Sequence, residues 1–369
     1  MKIRFRRYTL RQLWFYARRA FWILISWVII ANIIFFYEFF TLASNDILSS
    51  AFDFRQAFTA NLLFSVTAGI IGGIITINLM ARWLRKHAFW KALLYIIITY
   101  IITALLVSVV GALYYYSEEY GLPFYHSDVM DELWVFFGTW LFLKNFIIWL
   151  FIVIGTLIVL MVNDKYGPGV FVDYLLGRYF HPKHERRIFM FADIRNATGI
   201  AEELGEEKYF NFLKDFFADI APAIVQTRGE VYQYVGDEVV VSWKMNLGLK
   251  SGNAIRCYYQ MQKSISYRSR RYKKKYGIVP EFKVGYHFGN VMVGEIGQIK
   301  RDIAFSGDVL NTTSRIQEMC NKLNVNILAS EQFANVAYKL PKGVEKKKLT
   351  DSLLRGKSEE IGLVTYIKE

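Results

Sequence analysis

Cysteine occurs only twice in the 369 residues, histidine five times and proline six times. Cys257 and Cys320 lie far apart and form no redox or metal spacing, which excludes a disulfide framework. Both are expected to be inert buried thiols in a reducing compartment. The lack of a histidine–cysteine cluster argues against zinc. No P-loop and no dinucleotide-binding glycine fingerprint is present, so those two routes to phosphate binding are excluded. Acid is missing from residues 1–19, MKIRFRRYTLRQLWFYARR, and base is missing from SEEYGLPFYHSDVMDE at 117–132.

What is abundant is apolar side chain: 54% of residues are hydrophobic and 17% aromatic. Four apolar segments stand out, at 21–40, 58–80, 89–115 and 134–162. Each reaches the roughly 20 helical residues that cross a hydrocarbon core of about 30 Å. Buried helices of a soluble protein would keep a polar face at helical period, and these are apolar all round. Glu38, Lys144 and Asn145 are the interruptions. Glu38 is expected to be solvated near the outer interface, and Lys144 either snorkels to the headgroups or marks a ligand path. The basic residues 1–19 and the basic loop ARWLRKHAFWK contrast with the acidic 117–132. By the positive-inside bias, this contrast predicts a multi-pass plasma-membrane protein with its N-terminus and second half in the cytosol. The net charge of +13 then faces the anionic leaflet of the lipid bilayer, and no nucleic acid partner is called for. The expected organisation is a basic cytosolic segment over 1–19, a four-helix transmembrane domain over 20–162, a coupling linker over 163–186 and a cytosolic domain over 187–369. Gly167, Pro168 and Gly169 break the last span.

The second half alternates strands and helices. A strand over 187–193 ends on Asp193, and a helix over 198–226 follows with Thr198 as its N-cap. The run YQYVGDEVVVSW at 232–243 is a hairpin, and a second helix from 253 ends in a basic tail, YRSRRYKKKYG at 267–277, taken as a solvated helix end. FKVGYHFGNVMVGEIG is read as two strands with a tight turn at Gly289-Asn290, and His287 within it as structural. A third helix and a further strand complete a β-α-β-β-α-β order. That predicts an α+β domain with a ferredoxin-like, palm-type sheet and helices on one face.

Asp237 at the hairpin tip reads equally as a turn residue. With Asp193 at a neighbouring strand end, it also reads as half of a convergent carboxylate pair, a site for Mg²⁺ or Mn²⁺. The loop IRNATG after Asp193 leads to a helix N-terminus, which favours phosphate.

FMFADIRNAT, YQYVGDEVVVSW, VGYHFGNVMVGEIGQIKRDIAFSGDVLNTTSRIQ and LLRGKSEEIGLVTY, in that order, resemble the catalytic domain of the class III adenylate and guanylate cyclases over about residues 185–367. The resemblance implies two divalent metal ions on Asp193, Asp237 and the main-chain carbonyl of Ile194. It implies that Asn311 orients the ribose and that Arg315 stabilises charge on the α-phosphate. Arg355 and Lys357 would bind the triphosphate, with Thr198 at the phosphate-side helix start. Gln233 stands where the family has a base-selecting lysine or glutamate, and Ala304 where it has aspartate, threonine or cysteine. Asn196 and Ala197 replace a commoner Gly and Phe. In the family the metal aspartates and the Asn/Arg pair come from different subunits, so a homodimer with shared sites is implied. The expected function is a membrane-bound adenylate cyclase that converts ATP to cyclic AMP and pyrophosphate. A guanylate or base-unselective cyclase using GTP, and a catalytically silent nucleotide receptor, are the alternatives. A diguanylate cyclase would need a second glycine in the VGDE turn and would not carry NTTSR.

Overall fold

The computed structural model describes residues 10–48, 52–82, 89–166, 176–299, 302–353 and 360–368. It divides into two compact units, Met1–Lys165 and Tyr166–Glu369.

The first unit is helical: α1 (Leu10–Ser44), α2 (Phe54–Arg82), α3 (Phe89–Tyr120), α4 (Ser127–Phe137) and α5 (Trp140–Tyr166). Within α1, α2, α3 and α5, the stretches Ala17–Ser44, Phe54–Ile75, Ile97–Tyr120 and Trp140–Val162 are long and apolar enough to span a membrane. The expected fourth segment is shorter than its apolar run. Trp134 belongs to α4, an amphipathic helix that buries Val129 and Leu133 and ends at Gly138. Thr139 then starts α5 by accepting the amide of Phe142 at 3.2 Å. In a bilayer, helices gain little from mutual apolar burial, so packing detail and interhelical hydrogen bonds hold them. Trp27 Nε1 donates to Thr156 Oγ1 at 3.0 Å, and the Tyr100 hydroxyl donates to the Phe146 carbonyl at 2.5 Å. Glu38 is not simply solvated: its carboxylate holds the Lys144 ammonium at 2.8 Å, pairing α1 with α5. Two lone charges in an apolar setting are each costly, and together they neutralise one another.

The second unit is built on an eight-stranded sheet in the order β2-β3-β1-β4-β6-β8-β7, with β5 paired to β4. Its strands are β1 (Lys183–Ile194), β2 (Glu230–Val235), β3 (Glu238–Lys244), β4 (Phe282–Ile296), β5 (Asp302–Ser306), β6 (Ile327–Ser330), β7 (Val344–Leu353) and β8 (Glu360–Lys368). Alternation along β1 sends Ile188, Met190, Ala192 and Ile194 to one core and Phe189 and Phe191 to another. Besides the short helix Met245–Leu249, the helices are α6 (Ala197–Leu204), α7 (Glu206–Gln226), α8 (Asn253–Tyr267), α9 (Ser269–Tyr276), α10 (Asp308–Lys322) and α11 (Glu331–Val336). The first face lies under α7 and α8 through Phe212, Phe216, Ile220, Tyr258 and Met261.

The helices are not confined to that face, because α10 covers the opposite one. Gly285 and Gly289 on β4 leave a bare track for it. A Cβ at Gly285 would lie 2.5 Å from the Gln317 amide nitrogen, and one at Gly289 would lie 3.2 Å from Val309 Cβ. The same requirement corrects the expected turn at Gly289-Asn290. Residues 282–296 form one strand, with Gly289 opposite Arg187 and Asn290 opposite Arg186 in an unbroken ladder. The glycine there serves helix approach, not chain reversal.

The expected helix over 198–226 is divided at Gly205, whose φ is +71°. Its N-cap position falls on Asn196, in the left-handed region at φ +52°, with Thr198 exposed inside the first turn. Asn tolerates this conformation better than most residues, which lets the chain leave β1 sharply. The second expected helix breaks at Arg268, and its basic end is partly committed. Arg268 pairs with buried Asp219 at 2.9 Å, and Arg271 and Lys275 meet Asp215 at 2.7 and 2.9 Å. Burial pushes the Asp215 carboxyl up, but hydrogen bonds from Lys275, Tyr276 and Arg271 outweigh it and hold it below its ordinary value. Cys257 and Cys320 are free and buried, and burial pushes both thiols up to about 12. His287 is a buried partner of Ser330, with Nδ1 2.7 Å from Oγ.

Gly285→Ala is therefore expected to lower stability by about 2 kcal/mol, since the added methyl meets α10 backbone that cannot rotate away. Gly155, with nothing within 4 Å of its Cβ position, is the control. Chemical denaturation of both variants in detergent checks the contrast; equal stability would remove the wedge from the account.

Candidate active site

Two strand ends and a turn build the site. Asp193 is the last but one residue of β1, opposite Glu238 on β3 and Lys283 on β4. β2 and β3 are joined by the two-residue turn Gly236-Asp237, which needs φ +60° at its first position and finds glycine there. Asp237 is thus both a hairpin tip and a neighbour of Asp193, near enough for the two carboxyl groups to act on one another. Burial, then the Asp193 carboxyl beside it, push the Asp237 carboxyl up to about 6. Burial, then the charges of Asp193 and Asp237, push Glu238 up to about 7.

A buried cation and an amide attend this acidic corner. Lys283 Nζ lies 3.2 Å from Asp193 Oδ2, and Gln317 Nε2 on α10 donates to the same oxygen at 2.9 Å. Tyr209 on α7 feels both aspartates: burial, then Asp237 and Asp193, raise its hydroxyl pKa. Sequence reading passed over all four of these neighbours. Lys283 had a usable signal, a lone charge inside the apolar strand run FKVGYHF. Gln317 had none, because its neighbour is 124 residues away in the chain.

The expected residues do not all meet. Asn311 and Arg315 sit one turn apart on the outward side of α10, whose inward side buries Val309, Thr313, Ile316, Gln317 and Cys320. Asn311 is exposed, Arg315 is half-buried, and neither has a hydrogen-bond or ion-pair partner among the described residues. Within one chain, α10 turns Gln317 toward Asp193 and Arg315 away from the sheet. Ile194 is buried in the core, which leaves its main-chain carbonyl as the available donor. Gln233 is exposed on β2, beside a bulge between Val231 and Gln233. Ala304 on β5 pairs with Gly294. Tyr232 joins those two regions, its ring 4.8 Å from Phe305 and its hydroxyl accepting the Phe305 amide at 3.4 Å. Arg355, Lys357 and the Gly167–Gly169 break lie outside the described residues.

The donor set suits a hard divalent cation. Burial is the largest cause of the raised pKa of Asp237, and the neighbouring Asp193 carboxyl adds to it. Among the described residues, no group of three or more His, Cys, Asp or Glu is placed to hold a metal. The protein then offers one aspartate pair and a carbonyl. An oxygen set of this kind is compatible in its chemistry with a hard divalent cation whose remaining positions are filled by other ligands.

Comparison with known proteins gives the family. The family described as adenylate and guanylate cyclase catalytic domain matches residues 181–367, and the chain belongs to that family. It is 30% identical over 207 residues to adenylate cyclase 2 of Rhizobium meliloti (strain 1021), covering 56% of this chain and 57% of that one. It is 27% identical over 181 residues to an adenylate cyclase of Anabaena cylindrica, covering 48% and 36% respectively. The chain thus spans little more than half of the first relative and about a third of the second. Among solved structures, a bacterial light-regulated adenylyl cyclase aligns with a TM-score of 0.49 at 19% identity, over 62% of this chain and 65% of that one. The adenylyl cyclase CyaB of P. aeruginosa aligns with a TM-score of 0.44 at 18% identity, over 51% and 97%.

A pH dependence follows. The folded pKa of Asp237 lies above its unfolded value near 3.9, so ionisation opposes folding. Metal-free protein is expected to lose of order 1 kcal/mol as pH rises from about 4 through 6, after allowance for solvent screening. Asp237→Asn should flatten that loss and abolish the rise in melting temperature on adding Mn²⁺. Scanning calorimetry with and without Mn²⁺ reads both; an unchanged Mn²⁺ shift would remove Asp237 from the metal site.

Proposed function

We propose that the protein is a membrane-bound adenylate cyclase, converting ATP to cyclic AMP and pyrophosphate on the cytosolic side of the plasma membrane. The observation that carries this reading is the closeness of the Asp193 and Asp237 carboxyl groups at one end of the sheet. In this reading residues 20–162 anchor the chain, 163–186 couple the two halves and 187–369 catalyse, with 1–19 on the cytosolic face. The two named adenylate cyclase relatives support ATP over GTP.

Asp193, Asp237 and the Ile194 carbonyl would hold two Mg²⁺ or Mn²⁺ ions. Bound there, the metals supply charge neutralisation on the triphosphate and acidify the ribose 3′-hydroxyl. The chain's own groups do the positioning. Asn311 holds the ribose so that its 3′-oxygen faces the α-phosphorus in line with the leaving pyrophosphate. Arg315 meets the charge that grows on the α-phosphate oxygens, and its lack of a partner among the described residues leaves it available for that purpose. Arg355 and Lys357 bind the leaving phosphates. The α6 N-terminus, with Thr198 beside it, faces the same anion. Gln233 presents an amide to the purine edge, and Ala304 leaves room beside it.

Because α10 directs Asn311 and Arg315 away from the chain's own aspartates, each site is completed by a second copy. Asp237→Asn and Arg315→Ala are each expected to lower cyclic AMP formation by at least 100-fold, the scale of a lost charge-stabilising contact. Mixed in equal amounts and allowed to exchange, the two inactive proteins should regain about a quarter of wild-type activity, since half of the dimers then carry one intact site of two. Mass spectrometry of product from ATP and from GTP provides the readout. Nucleotide binding without any cyclic product would favour the silent receptor.

A further inference from the structure

The helical unit holds a partly open cavity of about 660 Å³ lined from α1, α2, α3 and α5, with Phe136 of α4 at its edge. It is long. Along α5 its lining runs from Leu141 to Leu157, and along α2 from Ala57 to Ile75. At 1.5 Å per residue these stretches are about 24 and 27 Å long. A lining of that length suits one extended hydrocarbon chain lying along the bundle.

The cavity has a polar tier and an apolar shaft. Glu38 lies six residues before the end of α1, Asn61 seven after the start of α2, and Asn145 five after the start of α5. The helical rise places all three about 7–11 Å below the same end of the bundle. The Glu38–Lys144 contact at 2.8 Å ties two of those helices together at that level. Below the tier the walls are mostly apolar, Phe64, Ala68, Val107, Trp149, Val153 and Leu157 among them; Ser65, Thr99, Thr103 and Ser108 also line it, and the first three give their hydroxyl protons to carbonyls of their own helices.

The tier also specifies the head. Glu38 already holds Lys144, so this pair offers no net charge. Asn145 makes no hydrogen bond within the described residues, and Asn61 has one long contact to Asn32 at 3.5 Å. Free amides give donors and an acceptor suited to hydroxyl or carbonyl groups. Glu119 lines the mouth, and the 117–132 connection beyond it is acidic with no Lys or Arg, which repels carboxylate and phosphate heads.

We infer that this cavity is a binding site for one single-chain amphiphile with a neutral, hydroxyl- or carbonyl-bearing head, drawn from the surrounding bilayer. The volume falls in the range of small-molecule sites, and a chain seated in the shaft touches all four spanning helices. Occupancy therefore sets the packing of α5, the helix that leads toward the catalytic half. This regulatory consequence rests on the cyclase reading, whereas the binding itself does not.

The test uses full-length protein in nanodiscs and 1-mono-oleoylglycerol as probe, with oleate, oleylamine and dioleoyl phosphatidylcholine as comparators. Native mass spectrometry counts bound molecules, and a brominated mono-oleoylglycerol reports contact with Trp27 and Trp149 by fluorescence quenching. One molecule per chain is expected, at least tenfold tighter than oleate. Ala68→Leu and Ala104→Phe, which fill the shaft from different helices, should each weaken it at least tenfold, and Asn145→Leu should erase the preference over oleate. Retention unchanged in both filled variants would overturn the site. Tighter oleylamine or oleate binding would overturn the neutral head, and retention of the two-chain lipid alone would overturn the single-chain occupant. Cyclic AMP output is followed in parallel. Binding without an effect on output overturns the regulatory consequence alone, and absence of any cyclase activity leaves the binding result standing.

Discussion

Two neighbouring carboxylates are an unfavourable arrangement, and much of the second unit can be understood as holding them there. Asp193 cannot retreat, because β1 is paired on both sides and its two faces are committed to separate cores. Asp237 cannot retreat either, since a two-residue turn fixes it to β2 and β3. Lys283 and Gln317 compensate part of the charge from β4 and from α10. In the proposed reading, a site so constrained is preorganised for a multivalent cation, because the protein has already met the repulsion in folding.

α10 connects this corner to the proposed assembly. Its approach depends on the bare track at Gly285 and Gly289, and its inward side supplies Gln317 to Asp193. Its outward side presents Asn311 and Arg315. One rigid helix therefore serves the site of its own chain with one side and, in the proposed dimer, the site of the other chain with the opposite side. Relative rotation of two protomers would shift Arg315 against the nucleotide while leaving Gln317 in register.

Some of this was legible in the amino-acid sequence, and the reasons differ by element. The four spans were visible because a hydrocarbon core needs long apolar runs, although the Gly138-Thr139 break made the fourth begin later than composition alone suggested. Asp193 and Asp237 stood out as acids at apolar strand ends. The glycines of β4 misled, because close helix approach and chain reversal call for the same residue. Asn196 displaced Thr198 as the cap because left-handed backbone outranked side-chain propensity. Lys283, Gln317 and the Glu38–Lys144 pair depend on contacts between distant parts of the chain, which local pattern does not encode.

The Glu38–Lys144 pair also constrains how the chain reaches its membrane state. The two residues are separated by 106 positions, so a chain threading into a bilayer from its N-terminus delivers the acid three spans before the base. Until α5 arrives, the Glu38 carboxylate lacks its Lys144 partner. Pairing of the two charges is thereby tied to arrival of the last of the four long apolar helices.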